Sequence, residues 1–379
     1  MNSIFATSRK IHQSVYLIVL LALFLLYTAL LLSNSLFVTD KFDNDATTIR
    51  LLILGQFDIE RTIFDGFRNT ALIFRTVGAE NIFPEWLIVL FANMIYWAAC
   101  ILVLKHSSLH RQNIFTIVIC LSWIFCSALF LSRYSKELIS LLPVFCICFV
   151  PINKLVSKVV VVLTVLAFVI FIRSYWAICL GLFLASYYIF FRLKLSGYIK
   201  VILFSVIYFL PFFMSSQLRG QYLTDWRVIA NLGIYDLHRA QSAIDNLMIN
   251  TSAFTDYANA LYSWLNLNFP IKMLLSSELR YKIFALFQFG SVFVLASAIY
   301  SELRGNNGRR MQEDPYYSRC ISFVLAYSLT QAIFEPDVGS FLRHQIILAV
   351  PLIYILYPRK IDPQIHITFE SRSNSAFQL

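Results

Sequence analysis

The sequence predicts an all-α polytopic integral membrane protein of about ten transmembrane helices, with amphipathic helices in two outer loops. Three observations lead there. Of the 379 residues, 59% are apolar and only 14% charged, whereas a soluble domain carries about 25% charged residues and must cover its surface with polar ones. The apolar residues gather in ten runs, and the charged residues gather between the runs. Soluble-enzyme, nucleic-acid-binding and disordered classes are disfavoured on this ground. The net charge of +10 then reads as basic flanks on the cytoplasmic side of spans rather than as a nucleic-acid footprint.

Taken in order, Arg9, Lys10 and His12 precede the first run, Val15 to Leu36. It is too long for the apolar core of a cleaved signal peptide and is expected to be an uncleaved first helix with its N-terminus inside. Further runs follow at 86–104, 114–131, 138–152, 159–172, 176–191, 198–213, 281–300, 319–334 and 341–357. The 159–172 and 176–191 pair, split by Arg173, reads as two spans or as one broken helix. Ten spans place both termini in the cytoplasm, and Lys plus Arg are then nearly twice as dense in the inside pieces as outside, as orientation by flanking positive charge requires. The longest inside piece is 358–379, too short for a cytosolic catalytic domain. No Gly-rich phosphate loop occurs, so a nucleotide-consuming enzyme or pump is disfavoured. The seven Cys lie in or beside apolar runs without zinc spacing and read as small packing residues.

The chain reads as a single membrane domain with two long outer segments, a first periplasmic loop at 37–85 and a large periplasmic loop at 214–280. In the first, Ile59, Ile63, Phe67, Ala71 and Phe74 form a helical stripe. In the second, 225–249 reads as an amphipathic helix with Trp226, Ile229, Leu232 and Leu237 on its apolar face and Asp225, Arg227, Asp236 and Arg239 between them. Phe254, Tyr257, Leu261 and Trp264 mark another helix. Such helices either pack on span ends or form a lid in the membrane interface.

Three outer turns concentrate charge where charge is costly: Arg133-Tyr134-Ser135-Lys136-Glu137, Arg173-Ser174-Tyr175-Trp176, and Glu335-Pro336-Asp337 followed by Arg343-His344. Ionisable groups at membrane depth mark function by default; the alternative is snorkelling side chains with interfacial aromatics. Arginine presents a planar fork of donors matched to phosphate, so several outer Arg fit a pyrophosphate held without a metal. Asp40, Asp43 and Asp45 compete as metal or proton acceptors, or serve as turn and cap residues. Of the two outer histidines, His238 and His344, the latter is better placed for proton transfer.

At these residues the sequence resembles the Wzy-type repeat-unit polymerases of O-antigen and capsule synthesis and the related EpsG-like polymerases. The Arg-x15-Gly loop pattern of some Wzy proteins is absent, since Arg219 and Arg227 are followed at that distance by Tyr235 and Ala243. The resemblance implies a cofactor-free glycosyl transfer on the periplasmic face of the bacterial inner membrane. The substrate would be an undecaprenyl-pyrophosphate-linked oligosaccharide in the membrane lipid, with a chain-length-regulating membrane protein as a further partner. Arg173 and Arg343, with Lys136, Arg219 and Arg227, would bind the leaving pyrophosphate, and Tyr175 would position phosphate or sugar. Glu137, His344, Asp337 and Glu335, in that order, are candidate bases. Competing expectations are a GT-C-type polyprenyl-phosphate glycosyltransferase using Asp43 or Asp45, an O-antigen ligase, and a flippase or transporter.

Overall fold

The computed structural model describes residues 44–56, 65–77, 134–152, 154–234, 243–277, 279–303 and 314–356, with single helical positions at 87, 90, 94, 98, 123 and 131. The predicted spans Val15 to Leu36, 86–104 and 114–131 lie wholly or almost wholly outside these residues. So do Asp40, Asp43, Ile59, Ile63, Arg133, Asp236, Leu237, His238 and Arg239.

The described residues are helical, with no strand among them. In chain order the helices are α1 (Asn44–Ile53), α2 (Gly66–Thr76), α3 (Lys136–Phe149), α4 (Leu155–Phe171), α5 (Trp176–Phe191), α6 (Gly197–Arg219), α7 (Asp225–Ile234), α8 (Ala253–Asn268), α9 (Ile271–Leu274), α10 (Leu279–Leu303), α11 (Pro315–Phe334), α12 (Val338–Gln345) and α13 (Ala349–Leu356). A 3-10 turn, Ile346–Leu348, joins the last two into one rod. The pair flanking Arg173 is two helices, because Ile172–Tyr175 leaves the α-helical ladder and α5 restarts at Trp176. Among the described residues, two helices are long and apolar enough to cross a membrane, α6 and the α12–α13 rod.

Helix α11 is the centre. Nearly every residue from Ser318 to Ile333 is buried, and α3, α5, α8, α10 and α13 surround it. Helix α5 packs on it most closely, with the Trp176 indole wedged among Phe168, Phe323 and Tyr327 at ring separations of 4.6, 5.8 and 5.4 Å. Buried aromatics of this size carry much of a core's apolar burial. Cys146, Cys148, Cys179 and Cys320 are buried free thiols, in line with the packing role expected of them. At one end of the bundle the Arg319 guanidinium donates to the Ile147 and Val150 carbonyls at 3.1 and 2.7 Å, satisfying the carbonyls that end α3.

The outward faces of α4 and α6 are apolar. Leu155, Val156, Leu163 and Ile170, then Ile199, Ile202, Val206 and Leu210, are all exposed. Exposed apolar faces of this extent mark contact with lipid or with another protein surface.

The large loop departs from its predicted form. Helix α7 is described as far as Ile234, and residues 244–250 are not helical. Ala243 instead pairs with Asp337 as an isolated antiparallel bridge, and the Ile244 N–H donates to the Pro336 carbonyl. Asn246 and Asn250 spend their amides on Arg227, Thr224 and Asp225 rather than on a helix face. The predicted faces of α7 are also reversed: Trp226 and Ile229 are exposed, whereas Arg227 is fully buried. Helix α8 forms where its stripe predicts it, under a Ser252–Thr255 capping box. In the first loop, α2 starts on an Asp65 cap and buries Thr70, Ala71 and Phe74 against α1 and Tyr134.

Candidate functional site

Three sequence-distant turns meet at the end of the bundle opposite Arg319. Ser135 caps α3 by accepting from the Leu138 N–H at 3.2 Å, which fixes Lys136 and Glu137 in the first turn. The break at Ile172–Tyr175 turns Arg173 inward. Asp337 caps α12 through the Gly339 and Ser340 N–H groups at 2.8 and 3.0 Å, which aims Arg343 and His344, nearly two turns on, back at α3.

The charged groups interlock. Arg173 Nη2 donates to Glu137 Oε1, and both side chains are buried. Arg173 Nη1 donates to the Tyr175 hydroxyl at 2.8 Å, and Gln331 Nε2 reaches the same oxygen at 3.3 Å. The His344 ring lies between two carboxylates, Nε2 at 2.9 Å from Glu137 Oε1 and Nδ1 at 2.5 Å from Glu335 Oε1. A neutral imidazole has one N–H, so this bracket holds either an imidazolium or a proton shared with a carboxylate. Arg343 Nη2 pairs with Asp45 Oδ2 at 2.9 Å, side chains 21% and 26% exposed, and Nε lies 3.9 Å from Glu137. The Lys136 ammonium sits 3.3 Å from the centroid of the Phe67 ring.

Burial drives the Glu137 carboxyl up, but Arg173, the His344 hydrogen bond and Arg343 outweigh it and hold the group well below the ordinary carboxylate range. Burial, reinforced by Arg173, pushes the Lys136 ammonium down to about 8. Five buried polar atoms around the cluster meet no hydrogen-bond partner: Glu137 Oε2, Glu335 Oε2, Gln331 Oε1, Arg343 Nε and Gln345 Nε2. Unsatisfied buried groups are costly, so each of the five calls for a polar partner such as water or a ligand.

Of the residues the sequence singled out, Glu137, His344, Glu335, Arg173, Arg343, Lys136 and Tyr175 are thus brought together, with Asp45 added from the first loop. Asp337 serves as the helix cap. Arg219 is exposed at the C-terminal end of α6. Arg227 belongs to a separate buried knot in the large loop, donating to Ser263, Asn246 and the Ala332 carbonyl, with Nε unpartnered. Burial pushes its guanidinium down to about 10, against the pull of Asp256 and Tyr208. Beside it Asp256 accepts from the Leu223 and Thr224 N–H groups and the Thr224 hydroxyl at 2.7, 2.9 and 2.6 Å. Reading the apolar stripe of α8 overlooked Asp256, Asn259 and Ser263, whose spacing of three and four is itself the signal of a buried polar face. Gln331, one turn before Glu335, and Gln345 were likewise missed. Among the described residues, no three His, Cys, Asp or Glu side chains are arranged to hold a metal ion.

No family model, curated protein or solved structure matches the chain.

Proposed function

We propose that this chain is a polytopic membrane glycosyltransferase that polymerises undecaprenyl-pyrophosphate-linked oligosaccharide units on the periplasmic face of the bacterial inner membrane. The observation that carries the reading is the cluster itself. Arg173, Arg343 and Lys136 converge with Glu137, Glu335 and His344 at one end of an apolar helix bundle, among orphaned polar atoms. Support for the membrane setting comes from the exposed apolar faces of α4 and α6 and from the ten apolar runs.

In this reading the tasks divide by exposure. Arg173 is sealed against Glu137 and positions it. Arg343 and Lys136 face the accessible side and take the pyrophosphate, so that Asp45, the more exposed partner, yields Arg343 to the incoming anion. Negative charge growing on the departing pyrophosphate is stabilised by cations already in place. The attacking sugar hydroxyl donates to an unpartnered carboxylate oxygen, Glu335 Oε2 or Glu137 Oε2, and His344 bridges the two carboxylates so that the proton is shared between them. Of the two, Glu335 suits the base better, since Glu137 is held ionised by Arg173 and is correspondingly weakly basic.

The test is the glycan ladder of cells carrying variants at this locus. Deletion leaves single-repeat glycans, and Arg343→Ala abolishes the ladder with membrane abundance unchanged. A ladder of normal length in either strain refutes the reading. A second reading, the GT-C-type enzyme, draws on Asp45, which the fold carries into the cluster. It requires that Asp45→Asn, or chelation of divalent metal, abolish activity.

A further inference from the structure

An apolar groove of about 510 Å³ lies between the first-loop helix α2 and the helices α3 and α4. Leu72 and Ile73 form one wall, Ile139 and Leu142 the second, Ala167 and Phe168 the third; Asn69 and Thr164 are the polar side chains of the lining. Leu72, Leu142 and Ala167 are exposed, so the groove opens sideways beside the exposed apolar residues Leu163, Leu166 and Ile170 of α4.

One end of the groove abuts the charged cluster. Its lining ends at Ile172, and the next residue is Arg173, whose N–H donates to the carbonyl of Phe168 in the groove wall at 3.0 Å. Gly66, the first residue of α2, closes on the Ile172 carbonyl so tightly that a Cβ would collide with it, and Asn69 Nδ2 donates to the Phe171 carbonyl at 2.7 Å. Beside Gly66, the Phe67 ring carries the Lys136 ammonium. Among the described residues no carboxylate comes within ion-pair distance of Lys136. A lateral apolar slot thus runs up to an ammonium that makes no direct ion pair among the described residues, with the Asp45 and Glu137 carboxylates farther off, and to a buried guanidinium. That combination is complementary to an amphiphile with a long hydrocarbon chain and a phosphate head: the slot removes apolar surface from the interface, and the cations meet the anion.

We propose that this groove receives the first isoprenoid units of a polyprenyl pyrophosphate, directing its head group toward Lys136 and Arg343. The assignment rests on the reading above and adds that α2 of the first loop forms part of the lipid site. Affinity for the head-proximal isoprenoid units then depends on Ala167 and the α2 wall rather than on the charged residues.

The experiment is binding to the purified full-length protein in nanodiscs of zwitterionic lipid. The probes are undecaprenyl pyrophosphate, inorganic pyrophosphate and, as competitor, phosphatidylglycerol. Ala167→Trp fills the groove from an exposed position; Leu166→Trp, exposed next to it but outside the lining, is the control. Ala167→Trp is expected to weaken undecaprenyl pyrophosphate about tenfold or more and to leave inorganic pyrophosphate unchanged, with Leu166→Trp altering neither. Undecaprenyl pyrophosphate binding unchanged in Ala167→Trp overturns the groove assignment while leaving the polymerase reading intact. Equal competition by phosphatidylglycerol overturns it too, since the slot would then be one for bulk lipid. Wild-type protein that binds neither pyrophosphate probe refutes both the groove assignment and the reading on which it rests.

Discussion

The Arg173–Glu137 pair offers the sharpest quantitative check. Both side chains are almost wholly buried, at 4% and 1% exposure, and among the described residues each has just one further side-chain partner at hydrogen-bond distance: the Tyr175 hydroxyl for Arg173 and His344 for Glu137. Arg173→Met leaves the buried carboxylate with His344 and, at 3.9 Å, the Arg343 Nε; Glu137→Gln leaves a buried guanidinium against a phenol and an amide. Removing one partner of a buried ion pair costs about 3–5 kcal/mol, whereas replacing both removes the uncompensated charge and is far milder. Each single variant is therefore expected to lose about 3 kcal/mol, and the double variant about as much as one single, a coupling of about 2–3 kcal/mol. Reversible unfolding in mixed detergent micelles, followed by tryptophan fluorescence, measures all four corners of the cycle. Losses that add to within about 0.5 kcal/mol would show that the two residues do not share a buried pair, and the site as described would be wrong.

Three further outcomes follow from the same geometry. Asp45→Asn removes a partly exposed competitor for Arg343, so its stability cost stays below about 1 kcal/mol and pyrophosphate binding tightens; weaker binding would show that Asp45 belongs to the ligand site. Lys136 is charged below about 8 and neutral above it, where an ordinary lysine holds its proton to 10.5. Pyrophosphate affinity should fall as pH rises through about 8, and Lys136→Arg should remove that limb. Stability moves the other way, because the unfolded chain binds the extra proton between those values, so unfolding free energy rises with pH there; a flat profile for both rules out the depressed ammonium. Gly66→Ala and Gly181→Ala should differ in sign. The first drives a Cβ into the Ile172 carbonyl and costs about 1–3 kcal/mol; the second has open space in mid-helix and gains about 0.5–1 kcal/mol. Melting temperatures decide both, and a neutral Gly66→Ala would mean that α2 does not dock on α4.

Much of the site was legible in the sequence because charge in an apolar background stands out whatever the fold. Lys136-Glu137, Arg173 with Tyr175, and Glu335 with Arg343-His344 could each be singled out from three short turns. The large loop was less legible. Periodicity predicts a helix over 225–249 and another marked by Phe254, Tyr257, Leu261 and Trp264, of which 225–234 and 253–268 are helical, yet it assigns the buried face to the apolar side by default. In α7 the opposite holds, because Arg227 finds Ser263, Asn246 and the Ala332 carbonyl below it, while Trp226 and Ile229 point away. The continuation of that helix to 249 failed for the same reason: the amides of Asn246 and Asn250 have tertiary partners that a helix would deny them.

By itself the sequence determined the helical class, the apolar runs and which residues had no cheap place to put their charge, since these depend only on composition and local spacing. The tertiary structure alone decided who meets whom: that Glu137 is shared by Arg173 and His344, that Asp45 rather than Asp337 answers Arg343, and that Arg227 serves the loop and not the cluster. The physical reason is range. Helix propensity and hydropathy act over a few residues, whereas a buried charge is settled by the nearest opposite charge in space, here 36 to 298 residues away along the chain.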